Sequence, residues 1–231
     1  MSTIAKNGNR AEKVLSTQDN LKPAFEAYFQ KPIASISMVP GRKKSDNVIN
    51  FSDGTKVQIQ NKDGDGSGRG WSVDRRDLKD HGTDTDFHTL LQSVCLRGNT
   101  TRPTISQEIS RQTLSQIIFG SDPAFQPEFI THTISDKTTG QITKISICPA
   151  KTFMDALLEE LYPTMVPKRT CVHLSPSIYL QRKGGGKTDN NPDHIQAKLR
   201  FNEKIAALFT VVDLISYQTN QQSEAQMPAE H

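Results

Sequence analysis

Cysteine is scarce in this chain, and what there is does not pair. Cys95, Cys148 and Cys171 are odd in number, widely separated and set among apolar residues, with no Cys-x-x-Cys pair. That usage argues against disulfide bridges and zinc ligation, and fits reduced core thiols of an intracellular protein. The six histidines show no ligand-spaced cluster, which speaks against zinc chemistry. Long apolar runs are missing as well. The start, MSTIAKNGNRAEK, lacks the apolar stretch of a secretory signal, and nothing reads as a membrane span, so the expected location is the cytoplasm with no membrane partner. The net charge is only +3 and the pI about 8.7, a balance that permits a nucleic-acid partner without demanding one. No internal repeat or linker interrupts the 231 residues, enough for a core that needs no staples. The expected organisation is a single domain over residues 1–217, with a polar, disordered tail over 218–231.

What is present is concentrated in residues 41–62, GRKKSDNVINFSDGTKVQIQNK. Asp53-Gly54 supplies the positive-φ positions that hairpin turns need, and both flanks alternate apolar with polar residues, so the stretch reads as a β-hairpin. Folding back at Asp53-Gly54 lays Asp46 beside the strand end that carries Gln60 and Lys62. Period two sets Gln58, Gln60 and Lys62 on one face and Val57, Ile59 and Asn61 on the other. Whether Asp46 shares the polar face depends on the loop. One extra residue pairs it with Gln60 or Lys62, whereas a two-residue loop pairs it with Asn61. A carboxylate and an ammonium meeting at strand ends cost desolvation unless partnered, so such a cluster forms an ion pair or holds a metal and a phosphate.

Ser45-Asp46, then thirteen residues, then Gln60-Asn61-Lys62 resembles the signature of the PD-(D/E)XK nuclease superfamily, in the variant of some type II restriction endonucleases where Ser-Asp precedes Gln-x-Lys. Ser45 stands where the pattern usually has Pro, and Gln60, a neutral oxygen donor, where it usually has an acid. The Arg42-Lys43-Lys44 lead-in and the Gly-rich loop that follows add context. The resemblance implies a catalytic set of Asp46, Gln60 and Lys62. It also implies a Mg²⁺ held by Asp46, Gln60 and the Asn61 carbonyl, and in-line hydrolysis of double-stranded DNA leaving 5′-phosphates. Duplex cutting in the family usually implies a homodimer, though monomers occur, and a restriction enzyme implies a cognate DNA methyltransferase that is not a bound subunit. In the family a helix before the hairpin often brings a Glu toward the metal. Glu12 is the candidate here, with the alternative that it simply complements a helix N-terminus.

The remaining pattern predicts an α/β (α+β) chain with a mixed central sheet flanked by helices. Residues 9–29 read as one or two helices broken near Pro23, and 33–39 as a strand, giving the order helix, strand, strand, strand that opens the resembled fold. Residues 63–76, DGDGSGRGWSVDRR, read as a loop in which Arg69, Arg75 and Arg76 contact DNA, with a solvent loop anchored by Trp71 as the alternative. Helices are expected over 84–96, over 105–119 with Ser106 as cap and Gly120 as stop, and over 150–161. Strands are expected over 129–134, 141–147, 171–174, 177–183 and 194–201. Residues 203–217 read as a buried helix, though their β-branched run permits a strand.

The hairpin over 177–201 carries Arg182, Lys183, Lys187, Gln196 and Lys198. It reads either as a ribbon that enters the DNA groove or as an edge hairpin whose lysines deter aggregation. Gly186-Lys187-Thr188 is not a phosphate loop, because Gln181 stands where the leading Gly belongs. The function expected is that of a type II site-specific deoxyribonuclease. The alternatives are a structure-specific or repair endonuclease of the same superfamily and a noncatalytic DNA-binding module.

Overall fold

The computed structural model describes residues 13–17, 21–39, 45–64, 71–72, 105–106, 109–120, 122–136, 138–168, 171–183 and 194–214. The fold is mixed α+β. Its strands form two six-stranded sheets, and the chain divides into two compact units that interleave in sequence. The first unit comprises Met1–Ser67, Pro127–Ala150 and Phe209–His231, and the second Gly68–Gln126 and Lys151–Leu208. No helix among the described residues is long and apolar enough to cross a membrane.

The first unit is built on β1 (Ile33–Met38), β2 (Asn47–Phe51), β3 (Lys56–Gly64), β6 (Phe129–Ser135), β7 (Ile142–Pro149) and β12 (Thr210–Asp213), in the order β1-β2-β3-β6-β7-β12. All neighbours run antiparallel except β3 and β6, which are parallel and make the sheet mixed. Helix α1 (Leu21–Phe29) and a helical segment at 13–17 precede it, so the expected order of a helical region and three strands is found. Pro23 does not break α1. It lies in the first turn, where its missing N–H costs no intrahelical bond. Leu15, Leu21, Ala24 and Phe25 bury against Ile49, Phe51, Ile59, Ile145 and Ile147. Phe29 completes this layer edge-on to Tyr28 and Phe129 at ring-centroid distances of 5.0 Å and to Phe51 at 5.3 Å.

The β2–β3 loop has one residue more than the tightest hairpin. Phe51 N–H donates to the Thr55 carbonyl at 2.8 Å, and Gly54 N–H donates back to Phe51 at 3.1 Å. Gly54 takes φ 83°, the left-handed residue that a three-residue loop of this kind requires. Asp53 fixes the turn by accepting the Thr55 N–H at 2.9 Å. The Thr55 hydroxyl, then Lys31 at 2.9 Å, hold its carboxyl well below the usual range.

The second unit holds the sheet β4-β11-β10-β9-β8-β5. Its strands are β4 (Trp71–Ser72), β5 (Ile105–Ser106), β8 (Thr164–Lys168), β9 (Cys171–His173), β10 (Ile178–Lys183) and β11 (His194–Leu199). Three sequence readings are corrected here. Trp71 belongs to a short strand on β11 rather than to a loop. Helix α2 runs over Arg111–Phe119, not from Ile105, because Ser110 and not Ser106 accepts the N–H of Thr113; Ile105–Ser106 pair with β8 instead. β8 itself was not expected, since Pro167 disfavours a strand. Pro167 stands opposite Val172 of β9, and the described residues of β5 pair β8 at Thr164 and Met165. Helix α3 (Ala150–Glu159) is as expected.

The 203–217 stretch is mostly not helical. Among its residues up to Asp213, α4 (Glu203–Ala206) is the helical part, capped by Asn202, whose side chain accepts the Ile205 N–H at 2.9 Å. Thr210-Val211-Val212 then run along β7 as β12, in the first unit, because a β-branched run gains more from a sheet edge than from a helix. The expected helix over 84–96 and the tail over 218–231 lie outside the described residues.

Candidate functional site

The register of the hairpin decides which side chains meet. Asn47 lies opposite Ile59 and Asn50 opposite Lys56; the Asp46 N–H also donates to the Ile59 carbonyl, at 2.9 Å, so the regular pairing ends at Asn47 with two residues of this strand against Ile59. Gln60 and Lys62 share one face of β3, while Asn61 lies on the face of the buried Ile59. The three-residue loop brings Asp46 to the strand end beside Gln60 and Asn61, where its carboxylate meets the Asn61 N–H.

Asp46 is held at three points. Its N–H donates to the Ile59 carbonyl at 2.9 Å, and its carbonyl accepts the Val39 N–H at 2.9 Å. Its Oδ2 accepts the Asn61 N–H at 2.8 Å. The last bond has a local cause. β2 begins only at Asn47, and the carboxylate of the preceding residue takes the Asn61 N–H in place of a strand carbonyl. A strand residue points its N–H and C=O to the same side, so the Asn61 carbonyl also faces the Asp46 edge.

Asn61 is itself locked from the core side. Its Oδ1 accepts the Thr131 hydroxyl at 2.8 Å, and its Nδ2 donates to Thr133 Oγ1 at 3.3 Å. The row continues along the sheet, with Thr133 and Ser135 donating to Asp63 Oδ1 at 3.2 and 2.9 Å. Thr131 and Thr133 are fully buried, so these polar groups satisfy one another inside the core. The ladder clamps β3 to β6 directly beneath the candidate site.

On the opposite face, β3 and β6 bring Lys62 in register beside His132. His132 is 7% exposed, and burial, with the Lys144 charge second, pushes its pKa down to about 4. Its ring leans over Gly64: a Cβ built there would meet Nε2 at 2.5 Å. A side chain at position 64 would displace the imidazole. His132 was not singled out from sequence, because a lone histidine in FITHTIS carries no spacing signal. Only the parallel pairing of β3 with β6 reveals its neighbour.

Among the described residues no three His, Cys, Asp or Glu side chains cluster as a metal site. The donor set at Asp46 is of another kind, with one carboxylate, one amide and one main-chain carbonyl on the same edge. All are hard oxygen donors, and Mg²⁺ is commonly held by only one or two carboxylates, with waters and phosphate oxygens completing its shell. The residues present therefore fit a weakly held Mg²⁺ and not zinc. The sequence matches no protein-family model, and a search of curated proteins found none that matches it.

Glu12, Arg69, Arg75, Arg76 and Lys187 lie outside the described residues. In the second unit, β10 and β11 pair Tyr179 with Lys198, Gln181 with Gln196 and Arg182 with Ile195. Alternation therefore divides the basic ribbon. Gln196 and Lys198 stand on the face of Tyr179 and Gln181, whereas Arg182 stands on the face of Leu180 and Ala197, and Lys183 ends β10 opposite His194. The Gln196–Lys198 face also carries a stack: His173 lies on Tyr179 at 5.4 Å, and the Arg200 guanidinium lies 5.3 Å from the Tyr179 ring centroid.

Proposed function

We propose that this chain is a metal-dependent DNA endonuclease with a restriction-endonuclease-like core, acting on double-stranded DNA in the cytoplasm. The observation that supports the reading best is the hairpin closure, which holds the Asp46 carboxylate against the Asn61 N–H at 2.8 Å, at the strand end that carries Gln60 and Lys62.

Asp46, Gln60 and the Asn61 carbonyl would hold Mg²⁺. Bound there, the cation neutralises a phosphodiester, lowers the pKa of water and offsets charge on the leaving oxygen. The chain's own contribution is placement. Asp46 cannot swing, because its backbone is bonded on both sides and its carboxylate on a third. Lys62 is half-buried, and no hydrogen bond or ion pair joins its ammonium to a described residue. It offers a compact positive charge to the attacking water and to the phosphorane oxygens. Cleavage by this set yields 5′-phosphate ends. The restriction reading further calls for site-specific cutting, a homodimer on duplex DNA and a separate methyltransferase.

The test is incubation of the purified chain with a long, fully sequenced, unmodified duplex, with Mg²⁺ and with EDTA, beside Asp46→Ala. Discrete fragments that need both Mg²⁺ and Asp46 are expected, and their ends give the site. Cutting only at junctions or mismatches would replace restriction by a structure-specific nuclease. Binding without cleavage of any substrate would leave a noncatalytic DNA-binding module.

A further inference from the structure

Strand β1 stands at one end of the first sheet, and among the described residues only β2 pairs with it. Its other side is open main chain. Phe51 N–H donates to Thr55, so alternation turns Asn47, Ile49 and Phe51 toward β3 and Val48 and Asn50 toward β1. Ser37 and Ser35, opposite these last two, direct their main-chain groups to β2, and Ile36 and Met38 direct theirs to the open edge.

Natural sheets guard such edges with charges, bulges or prolines. Ile33–Met38 carries no charged residue. Its guards stand at the margins: an irregularity in pairing between Ile33 and Ser35, and Pro32 and Pro40 on either side in sequence. Ser35–Met38 is left regular and unguarded. Its two faces differ in chemistry. On one, Ser35 and Ser37 accept the Asn50 side-chain amide at 3.1 and 3.3 Å. On the other, Ile36 packs half-buried against the apolar core of the unit, and Met38, the next residue on that face, is 43% exposed. The core layer therefore runs to the edge of the sheet and stops there uncovered.

We propose that β1 pairs antiparallel with β1 of a second copy of this chain, about a two-fold axis at Ser37, so that the two six-stranded sheets join edge to edge. The strand is its own complement in this register. Ile36 lies opposite the partner's Met38 and exchanges main-chain bonds with it in both directions, and each exposed Met38 covers the partner's Ile36. Ser37 meets the partner's Ser37, hydroxyl to hydroxyl, with no charge opposed to a charge. An identical strand brings the same alternation in the same register, and the two-fold closes both β1 edges at once. An edge of this length makes a small interface, under about 1,200 Å², which fits a concentration-dependent dimer rather than an obligate one. The pairing rests on the edge alone and deepens the nuclease reading, which calls for a homodimer without placing its interface. Val39, two residues from the axis, donates its N–H to Asp46, so strand rise and spacing put the two Asp46 Cα atoms about 20 Å apart in two-fold-related positions.

The test is sedimentation velocity of the full chain without DNA, across a micromolar concentration series, for wild type and Met38→Lys, beside oxidation of Ser37→Cys and Ser35→Cys in a glutathione buffer. Wild type should pass from monomer to dimer as concentration rises. Met38→Lys sets an edge lysine where the partner's Ile36 packs, and should raise the dissociation constant about tenfold or more with little change in melting temperature. Ser37→Cys brings two thiols together at the axis, where opposed non-hydrogen-bonded residues have Cα atoms about 4.5 Å apart, within disulfide reach. It should give a reducible covalent dimer above the wild-type background of Cys95, Cys148 and Cys171. Ser35→Cys, about 14 Å from its counterpart in this register, should not. Cross-linking keeps the test decisive if Met38→Lys disturbs folding. Wild type that stays monomeric throughout overturns the proposal, as it would if the edge took a strand of another protein. A dimer that a folded Met38→Lys leaves intact overturns it too, and so does equal cross-linking at positions 37 and 35. The nuclease reading is judged separately by Mg²⁺-dependent cleavage: a β1 dimer that cuts nothing keeps the interface and removes the nuclease, and cleavage by a monomer does the reverse.

Discussion

The Oδ2 of Asp46 accepts the backbone N–H of Asn61 at 2.8 Å, at the point where β3 has outrun the start of β2. On the proposed nuclease reading this side chain has two duties, to satisfy a strand-end donor and to hold a metal ion. Asp46→Ala and Asp46→Asn separate them. Alanine leaves the Asn61 N–H without its acceptor and should cost about 1–3 kcal/mol, whereas asparagine offers an oxygen to the same donor and should cost under about 1 kcal/mol. Both should abolish Mg²⁺-dependent cleavage. Urea unfolding of the two variants beside a cleavage assay reads the difference; equal stability losses would mean that the bond to Asn61 does not hold the carboxylate.

Lys62 is the second member of the set that can be removed without touching the apolar core. If the proposed reading holds, its charge acts where negative charge builds up on the phosphorane, and Lys62→Met should slow cleavage by about 10²–10³-fold, the usual scale for losing one such donor. Duplex binding should weaken by no more than one phosphate contact. Single-turnover cleavage and anisotropy on the same preparation check this. Cleavage within a few-fold of wild type would take Lys62 out of the mechanism.

The hairpin, the order of a helical region and three strands, and the strands near 129 and 142 were legible because Asp53-Gly54 and strict alternation are local signals. The register was not, since it turns on whether Gly54 adds a third loop residue. Two strands were hidden for opposite reasons. Pro167 argues against a strand although it pairs with Val172, and Val211-Val212 sit in an apolar run that also suits a helix. The Thr131–Asn61–Thr133 ladder and the Lys62–His132 pair depend on β3 meeting β6 in parallel, which local sequence does not encode.

His132 should make stability fall in mild acid. Its folded pKa of about 4 lies below the ordinary 6.5 because burial, and next the Lys144 charge, oppose protonation. Above pH 6.5 the ring is neutral in both states and its contribution is fully present. Between 6.5 and 4 the unfolded chain binds a proton that the folded chain refuses, so stability is lost as pH falls, by up to roughly 3 kcal/mol. Urea unfolding at pH 7 and pH 5 should therefore show a smaller drop for His132→Gln than for wild type. Parallel losses in the two proteins would mean that the native imidazole titrates normally.

Gly64 and His132 should behave as one unit. A Cβ at position 64 would sit 2.5 Å from His132 Nε2, so Gly64→Ala must push a ring that is only 7% exposed. Overpacking of this kind costs about 1–3 kcal/mol. If the clash is the cause, removing the ring removes most of the cost, and Gly64→Ala should be nearly silent in a His132→Ala background. The double-mutant cycle should then give a coupling of about 1 kcal/mol or more, against the few tenths expected of independent sites. Additive stability effects would show that the ring has room to move, and that the glycine is not there to seat the histidine.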